Sequence, residues 1–436
     1  MGRQAAVTCV FLSSALFILT LPPFRQNWLA GIAIVPLLLL AREKNSFRKN
    51  FLLGILAVFP YCAFGLYWFL YYDVWTYFDV LISYLPFFGL FLGLTGLFLK
   101  KWGASILANF LLPPIIWTSL SFLYDQTPLS AVGTQALFYQ PLEWMQSARI
   151  FGVYGIVFLF VMLNASIALI FKFRSAKRLM PLLVSILLLL GDFLWGRRAL
   201  ADSFIGHHPI ALIQHNFPVD KTWWMKNQGL ILSQYRSLAL EAAKKKPKLI
   251  IFPSYSLPFD SYRDPQFFEE LAKETQVHLL LATYIPKIPK RRIADVGQYE
   301  IALLFSPEGK IAGVDRAVLG PPFRRIHQVF AEEADLLETP LGKMGALLCI
   351  EDVLPRLAKA EVQKGAELLV TLSNTGHFTK TFAPGYHLFQ DQLRAIETGL
   401  FVIRVSANGY SAIIDPRGRV IKQTELGKQQ ILCGEV

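Results

Sequence analysis

The sequence predicts a chain in two parts: a multi-pass α-helical membrane domain over residues 1–196, then an α/β domain over residues 197–436. Three observations predict it. Hydrophobic residues make up 54% of the 436 and charged residues only 17%, where a soluble chain carries about 25% charge. Seven apolar runs precede residue 200. From Pro209 onward, short strand-like runs alternate with amphipathic helix-like stretches, the pattern of an α/β domain.

The apolar runs are Ala5–Leu21, Trp28–Ala41, Phe51–Tyr71, Val80–Leu99, Ala104–Phe122, Ile150–Phe171 and Leu179–Trp195. A span needs about 20 apolar residues. The first two runs are short and are joined by Pro22-Pro23-Phe24, which suits a tight or tilted hairpin. The basic N-terminus followed by an apolar run looks like a signal peptide. With no small-residue cleavage site and more apolar runs behind it, it reads as an uncleaved first span. Lys and Arg collect after the second, fourth and sixth runs, at Arg42–Lys49, Lys100-Lys101 and Lys172–Arg178. The loops after the third and fifth runs lack them until Arg149. Positive-inside topology then puts the N-terminus in the cytoplasm, and seven crossings leave residues 197–436 outside, the periplasm of a bacterium. Asn164 inside the sixth run reads as a helix–helix hydrogen bond. The aromatic stretch Gly65–Tyr77 reads as an interfacial belt.

The net charge of +12 fits cationic loops facing anionic headgroups, and no nucleic-acid motif is present. The clusters Lys244–Lys248 and Lys287–Arg292 read as solvated faces, with headgroup contact as the alternative. Four cysteines, Cys9, Cys62, Cys349 and Cys433, have no metal-ligand spacing, so neither a metal nor another cofactor is expected. A Cys349–Cys433 disulfide stays formally open.

In the second part, strands are predicted at Ile210–Gln214, Leu249–Phe252, His278–Thr283, Gly345–Cys349, Leu368–Thr371, Phe401–Ser406 and Ser411–Ile414. Helices are predicted at Gly229–Lys246, Pro265–Thr275, Leu357–Lys364 and His387–Thr398. Ile301–Phe305 and Ile311–Asp315 flank the turn Pro307-Glu308-Gly309 and form a hairpin. Helices with several hairpins imply a two-sheet sandwich of partly antiparallel strands, covered by helices. The chemistry points to Gly345–Pro355, where an apolar strand delivers Cys349 to a turn and Glu351 follows two residues on. A thiol of ordinary pKa, about 8.5, is only a few per cent ionised at pH 7 and needs a base to become a nucleophile.

Several stretches in order resemble the apolipoprotein N-acyltransferases, membrane-embedded members of the nitrilase superfamily. They are Gly65–Trp68, Phe151–Gly155 with Asn164, Gln214–Pro218 with Lys221 and Trp223, Cys349-Ile350-Glu351, Leu372-Ser373-Asn374, Arg394–Glu397 and Asp415–Gly418. The resemblance implies a nitrilase-like αββα sandwich. It implies a Glu–Lys–Cys triad whose cysteine takes an acyl chain from a phospholipid as a thioester. The chain then passes to the α-amino group of the N-terminal cysteine of a diacylated lipoprotein. The partners implied are a phospholipid donor, a lipoprotein acceptor and the inner membrane. The protein is expected to act as a monomer.

The sequence departs from the family's pattern where the chemistry lies. Ser254, in Phe252-Pro253-Ser254, stands at the family's glutamate base. Arg316 stands at its lysine, and Pro321–Arg325 lacks the loop glutamate. No apolar run of spanning length occurs between Trp195 and Val436, so the family's eighth, C-terminal span reads as missing. Arg316 keeps an oxyanion-stabilising charge but cannot act as acid or base near pH 7. A serine hydroxyl is no carboxylate base, and losing a base costs roughly 10²–10⁴ in rate. Glu351, Asp260 and Glu300 are the carboxylates that could be recruited, with Glu351 expected nearest the thiol. The catalytic assignment is therefore Cys349, Arg316, Ser254 and Glu351, with Trp223, His377 and Phe378 as substrate-binding residues. His377 is the best-placed histidine for an alternative base. His377 and Phe378 replace the family's usual residues in the loop after Asn374, so a different acyl or amide transfer is one alternative function. A lipid- or lipoprotein-binding relative without turnover is the other.

Overall fold

The computed structural model describes residues 3–22, 24–43, 45–127, 141–173, 175–204, 206–254, 265–285, 299–309, 311–316 and 336–436. It divides into two compact units, Met1–Asp202 and Ser203–Val436.

The first unit is helical: α1 (Arg3–Thr20), α2 (Val35–Ala41), α3 (Phe47–Gly65), α4 (Val74–Trp102), α5 (Ile106–Asp125), α6 (Leu142–Met145), α7 (Ala148–Lys172) and α8 (Leu179–Ala199). Among the described residues, five helical segments are long and apolar enough to cross a membrane: Phe47–Gly65, Val74–Trp102, Ile106–Asp125, Ala148–Lys172 and Ala176–Ala199. Gln4–Thr20 and Asn27–Ala41 are apolar but shorter, as the first two runs are in the sequence. Helix starts follow local chemistry. Asp73 Oδ1 accepts from Trp75 N at 2.9 Å, and Ser105 Oγ accepts from Ala108 N at 3.2 Å, which satisfies N–H groups that a helix start leaves orphaned. Asn164 is the interhelical bond its position implies. Its Nδ2 donates to Ala30 O and its Oδ1 accepts from Ile34 N, both at 2.8 Å, which ties the short N-terminal pair to α7.

The second unit contains β1 (Pro209–Gln214), α9 (Lys221–Lys226), α10 (Gln228–Ala243), β2 (Leu249–Ile251), α11 (Gln266–Thr275), β3 (His278–Ile285), β4 (Tyr299–Phe305), β5 (Ile311–Arg316), β6 (Leu337–Thr339), β7 (Gly342–Leu348), α12 (Pro355–Gln363), β8 (Leu368–Ser373), α13 (Ala383–Thr398), β9 (Val402–Ser406), β10 (Ala412–Ile414), β11 (Val420–Gln423) and β12 (Gln430–Glu435). They form two six-stranded sheets, ordered β12-β1-β2-β3-β4-β5 and β11-β10-β9-β8-β7-β6. Each sheet has parallel strands at its centre, β1-β2-β3 and β7-β8-β9, and antiparallel strands at its edges.

Side-chain alternation sets the layers. Ile210, Leu249, Leu280 and Leu304 of the first sheet pack with Leu348, Val370 and Val405 of the second in one buried core. Their neighbours Ile213, Ile250, Leu281 and Phe305 face α10 and α11. Leu347 and Leu369 face α12 and α13. The order helix, sheet, sheet, helix is the expected αββα sandwich.

The basic stretch Lys244–Lys248 carries exposed lysines, as a solvated face should. Lys287–Arg292, Asp260 and Pro321–Arg325 lie outside the described residues. All four cysteines are free, so Cys349 and Cys433 are not bridged.

Candidate active site

The parallel strands of both sheets end at one edge, where open α/β sheets place their ligands. β7 ends at Leu348, one residue short of the expected limit, because Cys349 leaves the strand with φ 51°. A non-glycine residue in this left-handed region costs on the order of 1–3 kcal/mol and needs its surroundings to hold it. Two sets of contacts do so. Glu351 is buried, and its Oε2 accepts the backbone N–H of Leu348 at 2.8 Å, closing the turn Cys349–Val353 on itself. Asp352 is clamped from below. Its carboxylate meets His387 Nδ1 at 2.8 Å and Arg404 Nη1 at 2.9 Å, and its carbonyl accepts from Arg394 Nη1 at 3.2 Å. Arg404 also meets Asp391 Oδ2 at 2.6 Å and Ser373 Oγ at 3.0 Å, and Thr371 Oγ1 donates to Asp391 Oδ1 at 2.7 Å. The elbow is thus riveted to α13, β8 and β9.

Cys349 is half-buried, yet its thiol is far from reactive by itself. Burial, then the charges of Glu300 and Asp352, push the Cys349 thiol up to about 12. Arg404 and a hydrogen bond from the backbone of Asn374 pull it down, and do not prevail. His377 is not among the charges acting on the thiol; it is exposed, in the turn Gly376–Phe378 beyond β8.

Ser254 is fully buried three residues past β2, and its hydroxyl donates to Glu300 Oε1. Glu300 is fully buried at the start of β4, on the inter-sheet face shared with Ala302 and Leu304. Its second oxygen, Oε2, has no hydrogen-bond partner among the described residues. Burial and the nearby charge of Glu351 raise the Glu300 carboxyl to about 8, against the Ser254 hydrogen bond that lowers it. The sequence put Glu351 ahead of Glu300 as the recruited carboxylate. In the structure Glu351 is engaged with the backbone of the elbow, and Glu300 is the carboxylate beside Ser254 whose charge acts on the thiol. The available signal was an ionisable residue at the inward-facing start of an otherwise apolar strand. Arg316 lies opposite Glu300 in the β4–β5 register.

The predicted substrate-binding residues fall in two adjoining segments. Trp223, half-buried in α9, packs near Phe217 with ring centroids 6.0 Å apart. Before α9 comes Val219, and a Cβ added at Gly376 would lie 2.1 Å from its Cγ2. Glycine therefore lets the His377–Phe378 turn close on the α9 segment. His215 and Gln214, in the stretch that leads there, are structural. Burial lowers His215 to about 3, so it stays neutral and accepts the Phe217 N–H at 3.0 Å. Gln214 Nε2 donates to Glu425 O and Lys428 O at 2.7 and 2.9 Å. No cluster of metal-ligating side chains occurs among the described residues.

Residues 209–436 match the carbon-nitrogen hydrolase family, and residues 13–166 match the apolipoprotein N-acyltransferase N-terminal domain. The chain is 28% identical to an apolipoprotein N-acyltransferase of Geobacter metallireducens, over 98% of this chain and 88% of that one. A second, from Gloeobacter violaceus, is 28% identical over 93% of this chain and 83% of its own length. An amidase from Nesterenkonia sp. superposes with a TM-score of 0.41 at 19% identity, covering 54% of this chain and 92% of the amidase.

Proposed function

The chain belongs to the apolipoprotein N-acyltransferase family, and from that membership we propose that it transfers an acyl chain from a phospholipid, through a Cys349 thioester, to the α-amine of a lipoprotein's N-terminal cysteine. The observation that carries this reading is the elbow: a half-accessible cysteine in left-handed backbone at the end of a central strand, held by buried ionic contacts. Strain of this kind persists where the surroundings over-determine it, and it gathers at functional sites. Arg316 stabilises the oxyanion, and Trp223, His377 and Phe378 border the substrate. The alternating basic loops support a domain on the periplasmic face of the inner membrane. A reporter enzyme active only in the periplasm, fused after Val436, is expected to be active; a cytoplasm-only reporter active there instead refutes this topology.

Intact-mass analysis of the full chain incubated with phospholipid vesicles tests the chemistry. The expected result is an added acyl mass on the wild type, removed by hydroxylamine and missing from Cys349→Ala. No adduct, with lipid still bound, favours a binding relative that has lost turnover.

A further inference from the structure

We propose that Glu300 is the general base of this site, taking over from the end of β2 a role that Ser254 cannot perform, with Ser254 retained to position it. The inference rests on the thioester reading above. Three features of the geometry carry it. Ser254 and Glu300 are both fully buried and joined by a hydrogen bond, so the end of β2 and the start of β4 form one site although β3 lies between them. The donor occupies Oε1 alone, and Oε2 is left without a partner among the described residues. An unpaired buried carboxylate oxygen is costly to keep unless something uses it. Glu300 also lies on the inter-sheet face, toward the strand that ends in Cys349, and its charge acts on that thiol. Of the two buried carboxylates at the elbow, Glu351 already accepts the Leu348 N–H, and Asp352 is engaged by Arg404 and His387.

The steps balance. Ionised Glu300 takes the Sγ proton as the sulfur lone pair forms a bond to the acyl carbonyl carbon of the phospholipid ester. The tetrahedral oxyanion collapses and the C–O bond breaks. The leaving glycerol oxygen takes the proton from Glu300 and departs as the lysophospholipid hydroxyl. In the second half the lipoprotein α-amine attacks the thioester carbon and gives a proton to Glu300. The C–S bond breaks, and Cys349 recovers that proton as a thiol.

The pH dependence follows from the groups around Glu300: Glu351 from the elbow, Arg316 opposite it in the β4–β5 register and Cys349 itself, with Asp352 and Arg404 acting on the thiol. Glu300 stands raised to about 8. Its ionised form is the active one, so the rate of thioester formation rises with pH through a midpoint near 8. A base near the working pH combines availability with strength.

The test measures acylation of the full chain by phospholipid vesicles from pH 6 to 10, for wild type, Cys349→Ala, Glu300→Gln and Ser254→Ala. Alkylation of the Cys349 peptide by iodoacetamide is followed in parallel. Glu300→Gln is expected to slow acylation roughly 10²–10⁴-fold and to abolish the limb near pH 8. Ser254→Ala, which removes a hydrogen bond that lowers Glu300, is expected to move the midpoint upward. Wild-type rates in Glu300→Gln, with Cys349→Ala inert, overturn Glu300 and leave the thioester intact. If the wild type does not acylate, the functional reading falls, and alkylation decides Glu300 alone. A limb near pH 8 lost in Glu300→Gln supports it, and identical profiles overturn it. Should Glu300→Gln not fold, an unmoved midpoint in Ser254→Ala overturns the proposal.

Discussion

Replacing Arg404 with methionine is expected to destabilise the α/β unit by about 3–5 kcal/mol. Arg404 is fully buried, and its guanidinium bridges Asp352 at 2.9 Å, Asp391 at 2.6 Å and Ser373 at 3.0 Å. Methionine fits the volume but leaves two buried carboxylates without their shared cation. Breaking such a group on one side costs more than replacing all of it, because an uncompensated charge stays behind. Lysine should not rescue it, since a single ammonium cannot reproduce the planar fork that reaches three partners. For a unit of this size the loss corresponds to a fall in Tm of roughly 6–20 °C, read by thermal unfolding of the full chain in detergent. Arg236 and Glu274 supply the control. They sit 2.7 Å apart with side chains 57% and 34% exposed, and such a pair contributes about 0–1 kcal/mol. If Arg236→Ala and Arg404→Met lower Tm equally, the buried network does not hold the elbow.

The helical unit was legible because membrane spans need long apolar runs, and the two short runs announced the two short helices. The central strands of the sandwich were legible as apolar runs bounded by turns. Three strands were not. β6 has three residues. β11, Val-Ile-Lys-Gln, is mostly exposed at a sheet edge. β12 is half-buried and finds its partner β1 over two hundred residues away, where no local signal exists. Cys349 was legible because an apolar strand delivers it to a turn. Its left-handed backbone was not, because the contacts that hold it come from α13 and β9. Arg404 lies inside the strand predicted at Phe401–Ser406, where nothing local marks it as the hub of the interior. Glu300 was named in the sequence but ranked low. Its distance from Cys349 depends on the β3–β4 register, in which Tyr284 faces Glu300, and spacing along the chain does not encode that register.

Exchanging the two side chains, Ser254→Glu together with Glu300→Ser, is expected to restore at least tenfold of the acylation lost in Glu300→Ser alone. The argument is steric as well as chemical. Ser254 and Glu300 are bonded to each other in a closed interior, so the exchange conserves volume, charge and the hydroxyl–carboxylate pair while moving the base to the other strand. Glu300→Ser alone removes the base and should cost roughly 10²–10⁴ in rate. Ser254→Glu alone puts a second carboxylate against Glu300. Like charges at such range cannot both ionise easily, so that variant should lose stability as pH rises above the ordinary carboxylate value of about 4.3, where the unfolded chain ionises both groups and the folded site holds a proton. Recovery in the double variant should be incomplete, since a misplacement of about 1 Å in a reacting group costs on the order of 10²-fold. All four chains, compared for acylation rate and Tm, form a double-mutant cycle whose coupling belongs to the pair. A double variant that melts with the wild type yet acylates no faster than Glu300→Ser would show that the carboxylate works only from β4, and that the two positions do not share one catalytic role.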